Sequence, residues 1–259
     1  MINIKPKISI ITTTYNSAKD IENLLKSIKF QKYKEIEHVV VDCKSTDETI
    51  KIIKKYKNFF NIRIIEKKCS IYEGLNIGIK NSSGKILTFI GSDDSYHNPN
   101  TIQNIVENFT KDIDYIYGNV KFIDRNSDNT TRVYKSGNFS LNKFRFGYMP
   151  AHTTMFFRKR IFSKVKKYNL NYKIASDFDF CLKIFLFNYK YIFLNEIITI
   201  NKENGTSNKN LANVIKSNLE VLQILKKKKI YSNIFFIFYK LINKFIKKFI
   251  LNKLLYVKK

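Results

Sequence analysis

Two neighbouring carboxylates, Asp93 and Asp94, directly follow an apolar run from Ile86 to Ile90 that predicts a buried strand. Two acids side by side at a strand end repel each other, and a hard divalent cation bound through oxygen ligands relieves that repulsion. The pair therefore indicates a site for Mg²⁺ or Mn²⁺. An ordinary turn that caps the next helix explains the same two residues, so the neighbouring segments must decide between these interpretations.

Polar side chains also follow the other apolar runs of the first hundred residues. Thr13 and Tyr15 stand at the end of the first run, Asp42 ends the second, and Glu73 lies beyond the third. Ligands of open parallel sheets bind outside the carboxyl ends of the strands. We therefore expect these side chains to line one edge of a sheet together with the acid pair.

The elements that would carry these residues alternate between strands and helices. Continuous apolar runs predict buried strands, and runs with helical periodicity predict the helices between them. Such alternation is typical of an α/β fold with a Rossmann-like, mostly parallel sheet flanked by helices. The predicted strands begin with Ile8 to Thr13, Val39 to Val41, Ile62 to Ile65 and Ile86 to Ile90.

Composition limits the size and setting of the protein. A chain of 259 residues with 44% hydrophobic residues can bury one substantial core. The net charge is +26, and the last 34 residues, 226–259, hold eleven lysines and no acid. Cys43, Cys69 and Cys181 are widely spaced and suggest neither a disulfide framework nor a zinc site, and the N-terminus shows no secretion signal. We therefore expect a cytoplasmic protein.

Five ordered segments combine these features: V-V-V-D-C-K-S-T-D-E-T, I-Y-E-G-L-N-I-G-I, S-S-G-K-I-L-T-F-I-G-S-D-D, P-A-H-T-T-M-F-F-R-K and A-S-D-F-D-F. Together they resemble family-2 glycosyltransferases, from about Ile8 to Asn201, and are closest to bacterial enzymes of surface-polysaccharide synthesis. The resemblance implies a GT-A catalytic domain over 1–205, with a nucleotide-sugar-binding half over 1–98 and an acceptor-side half over 99–205. It also implies a UDP-sugar or similar donor, a Mg²⁺ or Mn²⁺ cofactor and inversion at the anomeric carbon.

The resemblance assigns roles on the donor side. Thr13 and Tyr15 match the stretch that lines the base pocket, and Asp42 matches the carboxylate that reads the base or ribose. Asp93 and Asp94 match the metal and diphosphate motif. Asp94 is the better candidate for the metal ligand and Asp93 for a contact to the ribose or donor sugar, and which of the two is the main ligand stays open. Two more expected donor contacts come from one helix, where Glu73 replaces the family's aspartate and Asn76 falls where that helix approaches the donor.

The resemblance also supplies the catalytic residue. Asp177 matches the carboxylate that deprotonates the acceptor hydroxyl, although an aspartate in the first turn of a helix is also a common structural feature. Asp179 competes for this role, but two residues along a helix it would point about 200° away. His152 could contact the metal or phosphate, whereas a single histidine is more often structural.

The basic end of the chain, 206–259, predicts a helical tail. At 100° per residue, Phe238, Ile242, Phe245 and Phe249 share one face opposite several lysines, which is typical of a helix lying on an anionic membrane surface. The same face could instead pack on the catalytic domain or on another subunit. Nucleic acid is not an expected partner, because no recognisable nucleic-acid-binding module accompanies the lysines. The oligomeric state stays open.

The first hypothesis is therefore an inverting transferase that moves a sugar to a glycan or lipid-linked acceptor at the inner face of the cytoplasmic membrane. Two rivals remain from the sequence. One is a catalytically inactive sugar-nucleotide-binding scaffold, although the positions of Asp42, Asp94 and Asp177 all carry acids. The other is a sugar nucleotidyltransferase, although T-T-T-Y-N-S-A after the first strand lacks the Gly-rich basic loop that would hold a triphosphate.

Overall fold

A computed structural model describes residues 5–203, 211–237 and 239–240 of the chain. Its centre is a nine-stranded sheet in the order β3-β2-β1-β4-β8-β6-β9-β5, with β7 paired to β6. The strands are β1 (Ile8–Thr14), β2 (Ile36–Asp42), β3 (Asn61–Glu66), β4 (Ile86–Phe89), β5 (Ser95–Tyr96), β6 (Tyr115–Ile123), β7 (Thr130–Tyr134), β8 (Phe156–Arg158) and β9 (Tyr191–Lys202).

Eight α-helices and a short 3-10 helix at His152–Thr154 accompany these strands in the described residues. The helices are α1 (Ile21–Lys29), α2 (Thr49–Lys55), α3 (Ile71–Asn81), α4 (Thr101–Asn108), α5 (Leu141–Arg145), α6 (Ile161–Val165), α7 (Ser176–Leu186) and α8 (Leu211–Lys227). Among the described helices, none combines the length and apolar character that crossing a bilayer requires.

The first four long strands run parallel, as the apolar runs predict. β1 pairs with β2 on one side and β4 on the other, and β2 pairs with β3. Alternate residues of each strand enter different cores, so Ile11 packs in one apolar cluster and Ile10 in the other. Burial on both faces explains why β1, β2 and β4 are mostly apolar, whereas β3 lies at the edge of the sheet with Asn61, Arg63 and Glu66 exposed. The expected α/β architecture is confirmed.

The second half of the sheet is mixed. β8 lies antiparallel between β4 and β6, whereas β6 and β9 run parallel over their length. The short apolar run from Tyr191 to Leu194 predicts only the first part of β9, which extends to Lys202. The polar segment 124–147 is less irregular than its composition suggests, because it contains β7 and α5.

The helix that follows 204–210 packs on the catalytic core, which is one of the two alternatives for the C-terminal tail. Val221, Ile224 and Leu225 of α8 are buried in the same apolar cluster as Phe178 of α7. Ile237 joins them, whereas contact of the tail with a membrane stays a prediction. The predicted amphipathic face from Phe238 onward lies outside the described residues apart from positions 239–240.

Candidate functional site

The acid pair lies at the junction of β1 and β4, where the loops after these adjacent parallel strands meet. The Ser17 and Ser92 hydroxyls, one from each loop, are 2.8 Å apart. Gly91 allows the loop after β4 to turn sharply, because a Cβ at this position would stand 2.7 Å from an Asp94 carboxylate oxygen. The Asp94 backbone N–H donates to the Gly91 carbonyl, which turns the Asp94 side chain inward.

Asp94 is a buried carboxyl that accepts hydrogen bonds from neutral groups. Its side chain is 7% exposed, and the amide of Asn201 at the end of β9 donates to Oδ2 at 2.9 Å. Burial, together with the negative charge of Asp93, raises the pKa of Asp94 well above its usual range. The ionised form of this carboxylate is therefore costly unless a cation stands beside it.

Asp93 belongs to an ion network with two basic residues. The Arg125 guanidinium bridges Asp93 and Asp20, with 2.6 Å between nitrogen and oxygen in each pair. Lys202, next to Asn201 at the end of β9, donates to the other oxygen of Asp20 at 2.7 Å. The edge that carries the acid pair therefore also offers two cationic side chains that suit a phosphate group.

The residues at this edge fit a divalent metal held mainly by the donor. Within the described residues, no group of three His, Cys, Asp or Glu side chains could hold a metal alone. Mg²⁺ in nucleotide sites, however, uses one or two carboxylates and completes its shell with phosphate oxygens and water. The buried carboxyl of Asp94, whose ionisation requires a neighbouring cation, matches that arrangement.

Thr13, Tyr15 and Asp42 lie at the ends of β1 and β2, which neighbour each other in the sheet. Asp42 is fully buried, and its two carboxylate oxygens accept hydrogen bonds from the backbone N–H and the hydroxyl of Ser45. The Tyr15 ring is 59% exposed, and the Thr13 hydroxyl donates to the Ile71 carbonyl. The structure therefore brings these three residues to one edge, as predicted from the strand ends.

Two cysteines unexpectedly meet beside this edge. The Sγ atoms of Cys43, directly after Asp42, and Cys69, before α3, are 2.7 Å apart as free thiols. Burial and the neighbouring Cys69 thiol raise the pKa of Cys43 well above its usual value. Their sequence separation gave no sign of this pairing.

Helix α3 packs against the sheet edge expected to bind the donor, which we call the donor edge. Its two predicted site residues, Glu73 and Asn76, have different environments. A Cβ at Gly74 would meet the Thr13 side chain at 2.5 Å, so α3 packs directly against the end of β1. Glu73 is partly exposed in the first turn, whereas the Asn76 amide bonds through both of its polar atoms to the backbone of Tyr168. This geometry gives Asn76 a structural role and argues against the expected donor contact.

Asp177 lies in the first turn of α7 and is linked to α3. The Tyr72 hydroxyl stands 3.2 Å from Asp177 Oδ1, which also accepts from the backbone N–H of Phe178 at 2.8 Å. Burial raises the pKa of Asp177 to about 6, although these hydrogen bonds oppose the shift. A carboxylate with such a pKa is a suitable general base near neutral pH.

The competing base is engaged elsewhere. Asp179 is 3% exposed and forms an ion pair with Lys183 one turn further along α7, with 2.5 Å between Nζ and Oδ2. An acceptor hydroxyl has no access to a carboxylate buried in this way. Of the two acids in the segment A-S-D-F-D-F, the structure therefore favours Asp177.

His152 has a structural environment. Its ring stacks on Phe89, the last residue of β4, with 5.4 Å between centroids, and Nε2 lies 2.6 Å from the Tyr168 hydroxyl. Burial lowers the pKa of His152 to about 4, so the imidazole is neutral. The nitrogen is engaged by a tyrosine, and the role of a metal ligand has no support from this geometry.

Four further polar residues of the site escaped the sequence-based prediction: Tyr72, Arg125, Asn201 and Lys202. Asn201 and Lys202 end β9, so the strand-end rule would have found them had the full length of that strand been recognised. Arg125 lies in a polar loop with no periodicity, and only the folded chain brings it to Asp93.

Comparisons with known proteins agree with this geometry. Residues 9–187 match the family model described as glycosyl transferase family 2. A PGL/p-HBAD biosynthesis glycosyltransferase of Mycobacterium bovis (strain BCG) is 30% identical over 185 residues, or 70% of each chain. An uncharacterized glycosyltransferase of Mycobacterium tuberculosis is 29% identical over 182 residues, which are 69% of this chain and 68% of the relative.

Solved structures share the fold at lower sequence identity. Residues 1–349 of S. aureus TarS superpose with a TM-score of 0.65 at 22% identity, over 85% of this chain and 65% of TarS. The complex of this TarS fragment with UDP-GlcNAc has a TM-score of 0.63 at 24% identity, over 77% and 59% of the two chains.

The mannosyltransferase PcManGT from Pyrobaculum calidifontis, in complex with GDP-Man and Mn²⁺, has a TM-score of 0.65 at 20% identity, over 87% and 65% of the two chains. The chain thus spans less than two thirds of these structural relatives, whose likeness establishes the GT-A fold. Because the family match covers more than half of the sequence, the protein belongs to glycosyl transferase family 2.

Proposed function

We propose that this glycosyltransferase moves a sugar from a nucleoside-diphosphate donor, with UDP as the nucleotide, to a hydroxyl group of the acceptor with inversion at the anomeric carbon. Asp177 takes the proton of the acceptor hydroxyl, and the acceptor oxygen forms a bond to the anomeric carbon. The bond from that carbon to the diphosphate oxygen breaks, and its electron pair leaves with the diphosphate. One displacement of this kind inverts the configuration.

The observation that carries the proposal is the direct link between Asp177 and the donor edge. Tyr72 contacts Asp177 from the first turn of α3, and two residues further Gly74 packs against Thr13 at the end of β1. One short helix therefore spans the distance between a base with a pKa of about 6 and the strand ends expected to hold the donor. A base and a donor site held this way suit direct displacement.

Asp94 would hold the divalent cation together with the donor diphosphate. When bound, the cation supplies positive charge that neutralises the diphosphate as it leaves. Arg125 and Lys202 lie beside Asp93 and Asp20 and would add charge-assisted hydrogen bonds to the phosphates or the sugar. Asp93 serves the donor through this network, in which its own carboxylate is already neutralised by Arg125.

The nucleoside would lie across the ends of β1 and β2. There the exposed Tyr15 ring can stack on the base, and Thr13 and Glu73 complete the wall. Asp42 is fully buried and bonded to Ser45, so it would accept from the base or ribose after a shift of the Ser45 turn. Uridine is proposed because the structurally similar TarS was solved with UDP-GlcNAc and with UDP. PcManGT was solved with GDP-Man and Mn²⁺, which makes GDP the alternative to test.

Thermal stabilisation by nucleotides tests the donor site. At a ligand concentration of about 100 times Kd, binding stabilises a protein by about 2.7 kcal/mol. We expect UDP or a UDP-sugar with Mn²⁺ to raise Tm, GDP to raise it less, and either metal or nucleotide alone to have little effect. No rise with any nucleotide and metal would contradict the proposal, and binding without sugar transfer would favour an inactive scaffold.

The acceptor side of the proposal is a lipid-linked or growing surface glycan at an anionic membrane. The lysine run 226–229 begins in the last turn of α8 and continues past its end, and the aromatic side chains of Tyr231 and Phe235, just after this run, are 66% and 77% exposed. Basic and aromatic residues together suit the interface of an anionic bilayer. This surface supports a membrane contact close to the catalytic core.

Vesicle flotation tests the membrane contact. We expect the wild type to float with vesicles that contain phosphatidylglycerol and less with neutral vesicles, and Phe235→Ser to reduce flotation. Phe30→Ser is the matched control, because Phe30 is 62% exposed at the end of α1, away from the lysine run. Equal flotation of the wild type and Phe235→Ser would show that the aromatic patch does not contact lipid.

A further inference from the structure

Helix α8 lies beyond the segment that matches the family, yet it reaches the start of the helix that carries Asp177. The family match ends at residue 187, and α8 begins at Leu211 after 204–210. Val221, Ile224 and Leu225 fix one face of α8 in the core beside α7. The packing of this face fixes the position of Glu220, which is 7% exposed.

The Glu220 carboxylate accepts hydrogen bonds from three consecutive backbone N–H groups. Oε1 accepts from Lys173 at 3.0 Å, and Oε2 accepts from Ile174 at 2.9 Å and from Ala175 at 2.8 Å. These residues directly precede α7, whose N-terminus favours a nearby negative charge. Three charge-assisted hydrogen bonds donated by the backbone to a buried carboxylate hold this turn more firmly than neutral bonds would.

The peptide unit that joins Ile174 and Ala175 is held at both ends. Its N–H, on Ala175, donates to Glu220, and its carbonyl, on Ile174, accepts from the Tyr72 hydroxyl at 2.5 Å. A peptide unit is planar and rigid, so fixing both of its polar atoms fixes its orientation. Asp177 follows two residues later, and the direction of its side chain depends on this plane.

The Asp177 carboxylate has contacts of its own at Oδ1, with the Phe178 N–H and, at a longer distance, with the Tyr72 hydroxyl, and the positive charge of Lys240 also acts on it. Tyr72 has a single hydroxyl proton, and its shorter contact is with Ile174. The turn at 173–175 therefore acts on the placement of Asp177 in addition to its direct hydrogen bonds.

We propose that Glu220 is a positioning residue for the catalytic base: from outside the family-matching segment it orients Asp177 by holding the backbone at 173–175. The inference rests on the proposed function of Asp177. It also makes α8 a required part of the active site in this chain, in place of a simple extension of the core.

The replacement Glu220→Gln tests this inference. Glutamine preserves size but leaves one acceptor oxygen and turns an NH₂ group toward backbone donors, so the turn must shift. Because misplacing a catalytic group by about 1 Å can cost about 100-fold in rate, we expect kcat to fall about 10- to 100-fold. The donor KM should stay within about two-fold, because the change lies on the base side of the site.

The pH profile separates positioning from loss of stability. In the wild type, the acid limb of kcat/KM should lie near 6, where burial holds the pKa of Asp177. If the shifted turn moves Asp177 toward water, its pKa falls and the acid limb of Glu220→Gln moves to lower pH. Ile105→Ala is the matched control in α4, where Ile105 is fully buried in the other apolar cluster: it should lower Tm and leave both kcat and the acid limb unchanged.

Each outcome has a clear meaning. Wild-type kcat and an unmoved acid limb in Glu220→Gln overturn the inference, as does an equal fall in kcat for Glu220→Gln and Ile105→Ala. Should Glu220→Gln fail to fold, Tyr72→Phe releases the other end of the same peptide unit and must show a fall in kcat and the same shift of the acid limb. A wild type without transfer, or an active Asp177→Asn, instead contradicts the proposed function.

Discussion

The two sides of the active site are built by different means. On the donor side, Thr13, Asp42 and Asp94 come from the ends of parallel strands or the loops that follow them, and the sheet itself brings them together. On the base side, Asp177 is placed by Tyr72 and Glu220, which lie more than 40 residues away in the sequence. The donor side is thus a property of the sheet, and the base side depends on contacts between distant helices.

This difference has a consequence for charge. The donor edge gathers Asp20, Asp93 and Asp94 around Arg125 and Lys202, so its acids are balanced by cations or need one. Asp177 instead contacts the neutral Tyr72 hydroxyl and Phe178 N–H, and burial raises its pKa to about 6 although the charge of Lys240 opposes the shift. The first arrangement suits the binding of a charged diphosphate, and the second suits proton transfer near neutral pH.

The largest effect is expected for Asp177→Asn. Asparagine keeps the size of the side chain but cannot accept a proton, and the loss of a general base lowers rates about 10²- to 10⁴-fold. Steady-state transfer assays should show this fall in kcat, while nucleotide-dependent stabilisation stays as in the wild type. The acid limb of the wild-type profile near pH 6 should vanish with the carboxylate.

If Asp177→Asn also abolished the nucleotide-dependent stabilisation, the donor side and the base side would not be separable. Asp179→Asn is the matched control, since Asp179 lies two residues further on the same helix and is paired with Lys183. We expect this control to lower Tm and retain most of kcat. If Asp179→Asn loses kcat as strongly as Asp177→Asn does, the two acids have the reverse roles.

For Asp94→Asn we expect a smaller loss of rate than for Asp177→Asn, together with unchanged or raised stability in the absence of metal. Removing a residue that supports a metal site typically lowers activity or metal affinity by about 10- to 100-fold or more. The metal-dependent part of the stabilisation by nucleotide should disappear. Without metal, however, Asp94→Asn should be as stable as the wild type at pH 7, or more stable.

The sign of the stability effect follows from the pKa. In the folded protein, burial and Asp93 raise the pKa of Asp94 above its unfolded value of about 3.9, so the folded state binds this proton more tightly. The wild type therefore loses stability as pH rises above that value, and asparagine removes the loss. Thermal unfolding from pH 4 to 7 without metal measures it, and a Tm for Asp94→Asn that falls below wild type at pH 7 would contradict this account.

The contrast between the two sides also explains what the sequence could predict. Apolar runs fix the parallel strands, and the position of Asp42 or Asp94 relative to its run then places it at the carboxyl edge. The motif A-S-D-F-D-F predicts Asp177 as the base, but no pattern predicts its partners, because Tyr72 reads as one more apolar position of α3. Glu220 stands in a helix assigned to the basic tail, where its charge gave no hint of a backbone partner at 173–175.

Pairings across long sequence distances were missed for the same physical reason. Arg125 reaches Asp93 from a loop of polar residues, and Cys43, just after β2, contacts Cys69, just before α3. Neither contact leaves a periodic signal, since each depends on the path of the chain in three dimensions. Asn76 is the reverse case. Its helix lies beside the donor edge, but both polar atoms of its amide are already bonded to the backbone of Tyr168.

The smallest effect on catalysis is expected for Asn76→Ala, which sharpens the boundary between the donor side and its support. Alanine leaves the N–H and the carbonyl of Tyr168 without their partner, at about 1–3 kcal/mol if they stay buried. Each kcal/mol lowers Tm by about 2–4 °C in a chain of this size. We therefore expect a lower Tm with a donor KM within about two-fold of the wild type.

Thr13→Ala, on the strand end that α3 supports, should instead raise the donor KM with little change in Tm. A large rise in donor KM at unchanged Tm in Asn76→Ala would mean that the amide leaves Tyr168 for the donor, and that α3 belongs to the binding surface along its length.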